Sequence, residues 1–395
     1  MSKVVFFSIP AYGHTNPTLP LVEELVKRGE EVIYYSTDEF TEKILATGAT
    51  YVPYSFSKTG DTSIKAGRDL AALYYLMIKI TVDYIDDLIQ EVEKLKPDYI
   101  IHDAICAWGR YVANVCDIPA ISSVSTFALY EKGISATNLF RFFRDSGLSG
   151  IKYILKARKL QRTSLKKYGV QPRSMVETMM NEESLNIVYT SDVFQPHIEK
   201  YDSEKYAFIG PSITERKNDS DITDYSQLPH PMVYLSMGTV WKGAFDMDSL
   251  IRSFTKQGYS LVMAGVELTG GIAYGENVIV KKHINQIEVL KHCDVFITHG
   301  GMNSVNEALY WGVPLCLHPF QTEQAIVADR VVEFGCGLRI NTLDTNTIIR
   351  NVDRLLKEKS FRKNSEKLGV SFREAGGVSA GVDRILEYAK RRHSI

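Results

Sequence analysis

Residues 298–308, which read THGGMNSVNEA, decide the fold of this 395-residue chain. They follow a short apolar run at 294–297, which predicts a strand, and they begin a helical pattern that Gly312 and Pro314 terminate. The two glycines let the backbone approach a ligand closely, and the first N–H groups of a helix favour an anion such as phosphate. We therefore predict a ligand-binding turn between a strand and a helix. Spacing alone leaves open the alternative of an ordinary glycine-containing turn with a helix cap.

The helix that begins here carries polar residues on one face. Asn303 and Ser304 add side-chain donors, and Glu307 lies four and three residues after them, on the same face. A carboxylate beside a phosphate would be repelled, so a sugar hydroxyl is the better partner for Glu307. Phosphate at a helix start and a carboxylate one turn later on ribose are typical of nucleotide recognition in α/β folds.

A second turn between a strand and a helix lies at residues 10–17, PAYGHTNP. His14 falls at the carboxyl end of the predicted strand 4–9, which is the edge where open α/β sheets bind ligands. An imidazole at this edge can act as a general base near neutral pH when a carboxylate orients it. Asp103 ends another predicted strand and can supply that carboxylate. The alternative is a hydrogen-bonded structural histidine.

Strand and helix patterns alternate along the whole chain, which predicts an α/β protein with parallel sheets covered on both faces. A polar, proline-bracketed stretch near 210–231 separates two halves with the same rhythm. Two such halves facing each other would leave a cleft, where open α/β sheets usually bind ligands. Apolar runs that predict strands lie at 4–9, 32–35, 99–101, 120–121, 232–236, 260–264, 278–280, 295–298 and 313–317.

Composition and charge narrow the class of protein. Apolar residues make up 45% and charged residues 24%, which excludes a largely disordered or fibrous chain. The formal net charge of -1 provides no global basic field for nucleic acid. No apolar run reaches the roughly 18 residues of a membrane span, and the first ten residues do not resemble a signal peptide, so we expect a cytoplasmic protein. The five widely spaced cysteines are expected to be reduced, buried thiols.

One segment departs from this charge balance. Residues 141–167 carry nine Lys and Arg and a single acid, Asp145, which gives a net formal charge of +8. Apolar residues are interleaved with the basic ones. One interpretation is therefore an amphipathic helix that contacts anionic lipid transiently, without stable insertion. The commoner alternative is a solvated basic face whose apolar side packs on the domain.

The two turns, in this order and on opposite halves, point to a family. The chain resembles the inverting nucleotide-sugar glycosyltransferases of the GT-B fold, and among them the bacterial macrolide-type enzymes that glycosylate small lipophilic acceptors. A lone His-Gly-Gly would be a weak signal, but the ordered set is specific and spans nearly the whole chain. The matching segments are GHTNP at 13–17, Asp103, FIGP at 208–211, SMGT at 236–239, HINQIEVL at 283–290, HGGMNS at 299–304 and PFQTEQ at 319–324.

The resemblance implies two Rossmann-like parallel-sheet domains that face each other across a cleft. We expect an N-terminal acceptor-binding domain at 1–212 and an interdomain linker at 213–231. A C-terminal nucleotide-sugar-binding domain is expected at 232–378. A final helix at 379–395 is expected to pack back on the N-terminal domain.

The resemblance also implies a role for each matching residue. His14 deprotonates the acceptor hydroxyl, and Asp103 holds His14. In the donor site, Glu307 binds ribose and Gln286 binds the uracil edge. His299, Asn303 and Ser304 bind the diphosphate, with Gly300 and Gly301 at the turn. A loop that contains Ser236, Gly238 and Thr239 closes on the donor phosphates. His283 contacts the base, and Glu323 and Gln324 contact the transferred sugar.

Three positions depart from the family pattern. Relatives often carry Asp where this chain has Glu323, so the carboxylate is one methylene longer and the choice of hexose is affected. His283 falls where plant relatives carry a uracil-stacking tryptophan, and its ring can stack less extensively. Asn285 replaces a proline common before Gln286, which predicts a looser or differently shaped base-binding turn. A uridine nucleotide is the first expectation for the donor, and a thymidine nucleotide is the second.

The expected reaction moves a hexose, with glucose first, from a UDP-sugar to a hydroxyl of a macrolide, a flavonoid or another lipophilic phenol or alcohol. Attack opposite the leaving diphosphate inverts the anomeric centre. The helix start and His299 can meet the leaving-group charge, so we expect no metal and no cofactor, with the UDP-sugar as a co-substrate. Residues 219–221, DSD, mimic the metal-binding triplet of other glycosyltransferases, but no predicted strand positions them.

Three other functions fit parts of the sequence. A dinucleotide oxidoreductase would use similar sheets, but neither turn contains Gly-x-Gly-x-x-Gly. A same-fold sugar-nucleotide epimerase would keep the nucleotide site and need no acceptor pocket. A noncatalytic nucleotide-sugar-binding protein would not need His14 and Asp103. Product analysis with and without acceptor separates the epimerase from the transferase, and donor turnover separates the binding protein from both.

Overall fold

The structure is a computed structural model that describes residues 1–56, 69–129, 136–213, 221–238, 246–265 and 275–393. The side chains of residues 136–145, 148 and 392–393 lie outside this description. The chain divides into two units. The first comprises Met1–Ser212 and Ala375–Ile395, and the second comprises Ile213–Glu374.

The first unit is built on a parallel sheet with the strand order β3-β2-β1-β4-β5-β6-β7. Its strands are β1 (Lys3–Phe7), β2 (Glu31–Ser36), β3 (Thr50–Pro53), β4 (Tyr99–Asp103), β5 (Ala120–Val124), β6 (Asn186–Val188) and β7 (Tyr206–Phe208). Its helices before residue 212 are α1 (Tyr12–Thr15), α2 (Thr18–Lys27), α3 (Thr41–Leu45), α4 (Leu70–Leu95), α5 (Ala107–Val115), α6 (Ala136–Leu160) and α7 (Met175–Met180).

The central strand β1 shows why the sheet is buried on both faces. Successive side chains of a strand point to opposite faces, and here both sets are apolar. Val5 and Phe7 enter a core that α4 and α5 cover. Val4 and Phe6 enter a second core that α2 covers. The polar groups of a site are therefore expected at the carboxyl ends of the strands and in the loops that follow them.

The strand order places a topological switch point between β1 and β4. From β1 the sheet continues through β2 to β3 on one side, and the chain then returns to form β4 on the other side. The parallel register pairs Phe7 with His102, so the loops that follow β1 and β4 leave the sheet side by side. Crevices at such switch points are the usual ligand sites of open α/β sheets.

The second unit repeats this plan with the strand order β10-β9-β8-β11-β12-β13, all parallel. Its switch point lies between β8 and β11, where Ser236 pairs with Thr298. The strands are β8 (Met232–Ser236), β9 (Ser260–Ala264), β10 (Val278–Lys281), β11 (Val295–Thr298), β12 (Leu315–Leu317) and β13 (Gly337–Arg339). The helices are α8 (Met247–Lys256), α9 (Gln286–His292), α10 (Met302–Tyr310), α11 (Thr322–Glu333), α12 (Thr345–Lys357) and α13 (Lys359–Glu374).

The last helix, α14 (Gly377–His393), belongs to the first unit although it follows the second in sequence. Its buried Val382 and Ile385 share a core with Leu21 and Leu25 of α2. The Gly377 N–H also donates to the Ile209 carbonyl at 2.9 Å. The chain thus crosses from the first unit to the second and returns.

The expectation of an α/β protein with two parallel-sheet domains is confirmed. Among the helices of the described chain, none is both long and apolar enough to span a bilayer. All five cysteines are free thiols, and all except the half-buried Cys116 are buried. Burial raises the pKa of Cys316 to about 12, so this thiol stays protonated at neutral pH.

Candidate active site

The switch point of the first unit holds a histidine–carboxylate pair. His14 lies in the single turn of α1, just after β1, and Asp103 is the last residue of β4. The His14 Nδ1 and Asp103 Oδ2 atoms are 2.7 Å apart. The Asp103 side chain is only 1% exposed, whereas that of His14 is 23% exposed. The carboxylate is therefore shielded while the imidazole reaches the surface of the unit.

The hydrogen bonds of this pair fix the roles of the ring nitrogens. A carboxylate accepts, so Nδ1 carries the proton and donates, and Nε2 is then the basic nitrogen of the neutral ring. The other Asp103 oxygen, Oδ1, accepts the Ile105 N–H at 2.9 Å. With both oxygens engaged, Asp103 holds the imidazole in one orientation and can stabilise the imidazolium form.

Ser125 is a third member of this site that the sequence analysis missed. Its Oγ lies 2.9 Å from His14 Nδ1, and the residue is 7% exposed. Ser125 directly follows β5, the neighbour of β4 in the sheet. Because Nδ1 has one proton and the carboxylate is the stronger acceptor, Ser125 can only share that hydrogen bond. The sequence signal that could have identified Ser125 is a polar residue at the carboxyl end of a third adjacent strand.

A buried polar cluster supports the end of β4. His102 is fully buried, and its ring bridges the Asp103 carbonyl oxygen and Glu183 Oε1, each at 3.1 Å. Arg110 also contacts Glu183, at 2.8 Å. Burial alone would raise the pKa of Glu183, but His102 and Arg110 outweigh it and lower that pKa. This cluster anchors the backbone that carries Asp103.

The switch point of the second unit holds the glycine-rich turn. Gly300 has φ +88°, a left-handed conformation that favours glycine, and Gly301 is the N-cap of α10. A Cβ atom at Gly238 would lie 2.5 Å from His299 Cε1, and one at Gly301 would lie 2.6 Å from His299 Nε2. Both glycines therefore make room for the His299 ring beside the start of α10.

Burial determines the charge of His299. It lowers the pKa of this ring to about 4, so His299 is neutral at physiological pH in the ligand-free protein. Its ring also contacts Phe320, with 5.7 Å between the two ring centroids. A neutral imidazole can donate one hydrogen bond to a phosphate oxygen, and a bound diphosphate would favour its protonated form.

Glu307, Ser304 and Gln286 come together although Gln286 lies on a different helix. Gln286 is the first residue of α9, and its Nε2 donates to Glu307 Oε2 at 2.6 Å and to Ser304 Oγ at 3.3 Å. The Tyr234 hydroxyl donates to Gln286 Oε1 at 3.3 Å. This network orients the Glu307 carboxylate on α10, next to the amide expected to contact a nucleobase.

Hydrogen bonds hold the turn before Gln286, for which the sequence predicts a looser or differently shaped conformation than a proline would give. The Asn285 N–H donates to Asp221 Oδ2 at 2.9 Å, a bond that a proline at this position would not make. Lys281 and Tyr225 also bind the Asp221 carboxylate. Burial alone would raise the pKa of Asp221, but these hydrogen bonds together lower it far below the usual range. Asp221 is thus a structural anchor of this turn.

The remaining predicted donor residues are less closely connected. Glu323 is exposed in the first turn of α11, whereas Gln324 is buried. The Gln324 amide is engaged within its own loop, because Oε1 accepts the Phe320 N–H at 3.1 Å and Nε2 donates to Gln321 at 2.9 Å. His283 is exposed before α9, and Asn303 is half-buried on α10. Thr239 lies outside the described residues, as do Asp219 and Ser220.

Comparison with known proteins identifies the family. The model of the family described as UDP-glucoronosyl and UDP-glucosyl transferase matches residues 204–374. The uncharacterized UDP-glucosyltransferase YdhE of Bacillus subtilis (strain 168) is 30% identical over 400 residues, which cover the whole of both chains. The chain belongs to the UDP-glucoronosyl and UDP-glucosyl transferase family. It is a glycosyltransferase.

Other proteins similar to this glycosyltransferase are also named as glycosyltransferases. The NDP-glycosyltransferase YjiC of Bacillus licheniformis is 31% identical over 97% of this chain and 96% of its own length. The oleandomycin glycosyltransferase of Streptomyces antibioticus is 24% identical over 99% of this chain and 92% of its own. Among solved structures, the calicheamicin glycosyltransferase CalG4 superposes with a TM-score of 0.77 at 25% identity and covers 99% of both chains. The kitacinnamycin glycotransferase, with a TM-score of 0.82 at 24% identity over 98% of both chains, shows the same fold.

In the described part of this glycosyltransferase, no cluster of three or more His, Cys, Asp or Glu side chains is arranged to hold a metal. Asp221, the described member of the acidic triplet, directs its carboxylate to Lys281, Tyr225 and the Asn285 backbone. Asp221 therefore serves to hold the turn before Gln286.

The depressed pKa of His299 predicts a loss of stability in mild acid. Between pH 6.5 and about 4 the unfolded chain binds a proton at this residue and the folded unit does not, so acidification favours unfolding. The contribution reaches roughly 3 kcal/mol at pH 4. Urea unfolding followed by circular dichroism should therefore show a weaker pH dependence in His299→Gln than in the wild type. The exposed-residue variant His283→Gln is the control, and an unchanged slope in His299→Gln would contradict the assignment.

Proposed function

We propose that this glycosyltransferase moves a hexose, with glucose as the first candidate, from a UDP-sugar to a hydroxyl of a small lipophilic natural product, with inversion. The observation that carries the proposal is the His14–Asp103 pair, 2.7 Å apart at a switch point of the first unit. The relatives support the class of acceptor, because two of them are named for oleandomycin and calicheamicin. UDP-glucosyltransferase YdhE supports glucose as the donor sugar.

The first unit would supply the base. As the acceptor oxygen attacks the anomeric carbon, its proton passes to His14 Nε2, and the bond between that carbon and the diphosphate oxygen breaks. The imidazolium that forms is stabilised by the adjacent Asp103 carboxylate. The second unit would hold the leaving group, with the start of α10 and His299 at the diphosphate. Glu307 would bind ribose, and Gln286 would bind the base.

The structure favours neither alternative function. An epimerase or a noncatalytic binding protein needs no base for an acceptor, whereas here an oriented histidine is supported by a buried carboxylate and a serine. The relatives named above are glycosyltransferases. A cytoplasmic location and the absence of nucleic-acid partners remain part of the proposal, in line with the net charge of -1.

Product analysis by mass spectrometry tests the proposal. With UDP-glucose and a panel of flavonoid, macrolide and simple phenol acceptors, we expect hexosylated products that require the acceptor. His14→Ala should lose ~10² to 10⁴-fold in kcat for an aliphatic alcohol, because the general base is gone. It should lose much less with an aryl thiol that is already ionised at the assay pH. Ser125→Ala should lose far less than His14→Ala, since Asp103 remains.

Two outcomes would contradict this proposal. Near-normal transfer to the aliphatic alcohol by His14→Ala would remove His14 as the base. Conversion of the UDP-sugar to an epimer in the absence of acceptor would assign the protein as an epimerase instead. UDP affinity, measured by calorimetry, is the internal control and should be the same in His14→Ala and the wild type, because His14 and the donor residues belong to different units.

We also expect transfer to proceed without a metal or cofactor. The diphosphate would be held by the backbone of Gly300 and Gly301, the α10 N-terminus and His299. Enzyme prepared metal-free and assayed with EDTA should keep most of its activity. Complete loss with EDTA that Mg²⁺ or Mn²⁺ reverses would instead require a metal.

The contact between Glu307 and Gln286, the residue expected to bind the base, predicts that Glu307 binds the ribose of the nucleotide. Glu307→Ala should weaken UDP binding by roughly 1.5 to 3 kcal/mol, the range for a hydrogen bond to a charged group. It should have little effect on 2′,3′-dideoxy-UDP, which lacks the ribose hydroxyls. Calorimetry with both ligands measures this. Glu333→Ala, which removes an exposed carboxylate paired with Arg330, is the control. Equal weakening of both ligands would contradict the ribose assignment.

A further inference from the structure

A face of α6 and the turn after it carries charge and apolar surface that the glycosyltransferase site does not use. Ile151, Leu155, Lys159 and Arg162 recur at spacings of four and three residues. With Lys152, which follows Ile151, they share one side of the helix and are here called the basic face. Ile151 is 50% exposed and Leu155 is 61% exposed. Together with Lys152, Lys156 and Lys159, these two side chains also line a surface groove.

The opposite side of the same helix accounts for how α6 is held. Gly150, Ala157 and Gln161 are buried, and Ala157 belongs to the core that α4 covers. The Gln161 amide donates to the Tyr74 hydroxyl of α4 at 2.8 Å. Packing therefore explains the buried side of α6 and leaves the exposure of Ile151 and Leu155 unexplained. Such large aliphatic side chains, exposed side by side, mark an interaction surface.

The charged residues of the segment that carries the basic face are all positive. Residues 151–167 include seven Lys and Arg and no Asp or Glu. The neighbouring helix α4 supplies Asp86, which pairs with Lys167, and the Lys156 ammonium lies over the Tyr75 ring. Lys152, Lys159 and Arg162 form no salt bridge with any other residue in the described part of the chain. Their charge is available to an anionic partner.

We propose that the basic face docks reversibly on a bilayer that contains anionic phospholipid. The two aliphatic side chains would enter the boundary between headgroups and acyl chains, while the flanking lysine and arginine heads meet lipid phosphates. This complementarity favours a bilayer over nucleic acid, which offers phosphate but no apolar phase. It also disfavours a second copy of the chain, because two such faces would repel each other. The proposal does not depend on the proposed function.

Sedimentation with vesicles tests the proposal on the full chain. Wild-type protein should pellet with vesicles of phosphatidylcholine and phosphatidylglycerol, should remain in solution with phosphatidylcholine alone, and should be released by high salt. The double variants Ile151→Ser/Leu155→Ser and Lys152→Glu/Lys159→Glu should each reduce the partition coefficient roughly tenfold or more.

Two variants serve as matched controls for this experiment. Leu45→Ser removes a 55% exposed leucine elsewhere on the first unit, and Lys200→Glu/Lys205→Glu makes the same charge change at two exposed lysines. Both should bind vesicles like the wild type, and thermal unfolding should be similar in all variants because the changed side chains are exposed.

Three results would overturn the proposal. The first is absence of wild-type binding to the anionic vesicles. The second is equal binding to neutral and anionic vesicles. The third is self-association of the wild type in analytical ultracentrifugation that the basic-face variants abolish, which would assign this face to a second copy of the chain.

Discussion

Burial of each sheet on both faces is the constraint on which both units depend. In β1, alternate side chains enter two separate apolar cores. A polar side chain on either face of this strand would therefore carry a large desolvation cost. The chemistry is left to the carboxyl ends of the strands. There, the loops that follow β1 and β4 diverge, and so do those that follow β8 and β11. His14 and Asp103 lie at the first of these points, and the turn that contains His299 lies at the second.

The two sites use burial in opposite ways. In the first unit, a shielded carboxylate is held in place because the His14 imidazole and the Ile105 N–H donate to its two oxygens. In the second unit, no ionised partner of this kind contacts His299 among the residues that the structure describes, and burial keeps the ring neutral. A neutral ring adds no positive charge to the site, yet it remains able to respond to a bound anion.

Asp221 shows how a polar stretch between the halves contributes to a binding site. As part of the second unit, it fixes the turn at Asn285 through a backbone N–H that a proline would lack. That turn precedes Gln286, which in turn orients Glu307. Hydrogen bonds and the short chain segment between Asn285 and Gln286 therefore connect Asp221 to Glu307 on α10.

The sequence by itself determined the two parallel sheets, because the period of apolar runs and the glycine and proline breaks between them are local properties of the chain. It also singled out His14, Asp103 and His299, since each lies at or just after the end of a strand, and Glu307, since it shares a helical face with Asn303 and Ser304. Strand order was decided only by tertiary structure. That order brings Ser125 to His14 and Gln286 to Glu307 across 111 and 21 residues of chain. The role of Asp221 and the neutral state of His299 likewise depend on burial and on distant partners, which no local pattern encodes.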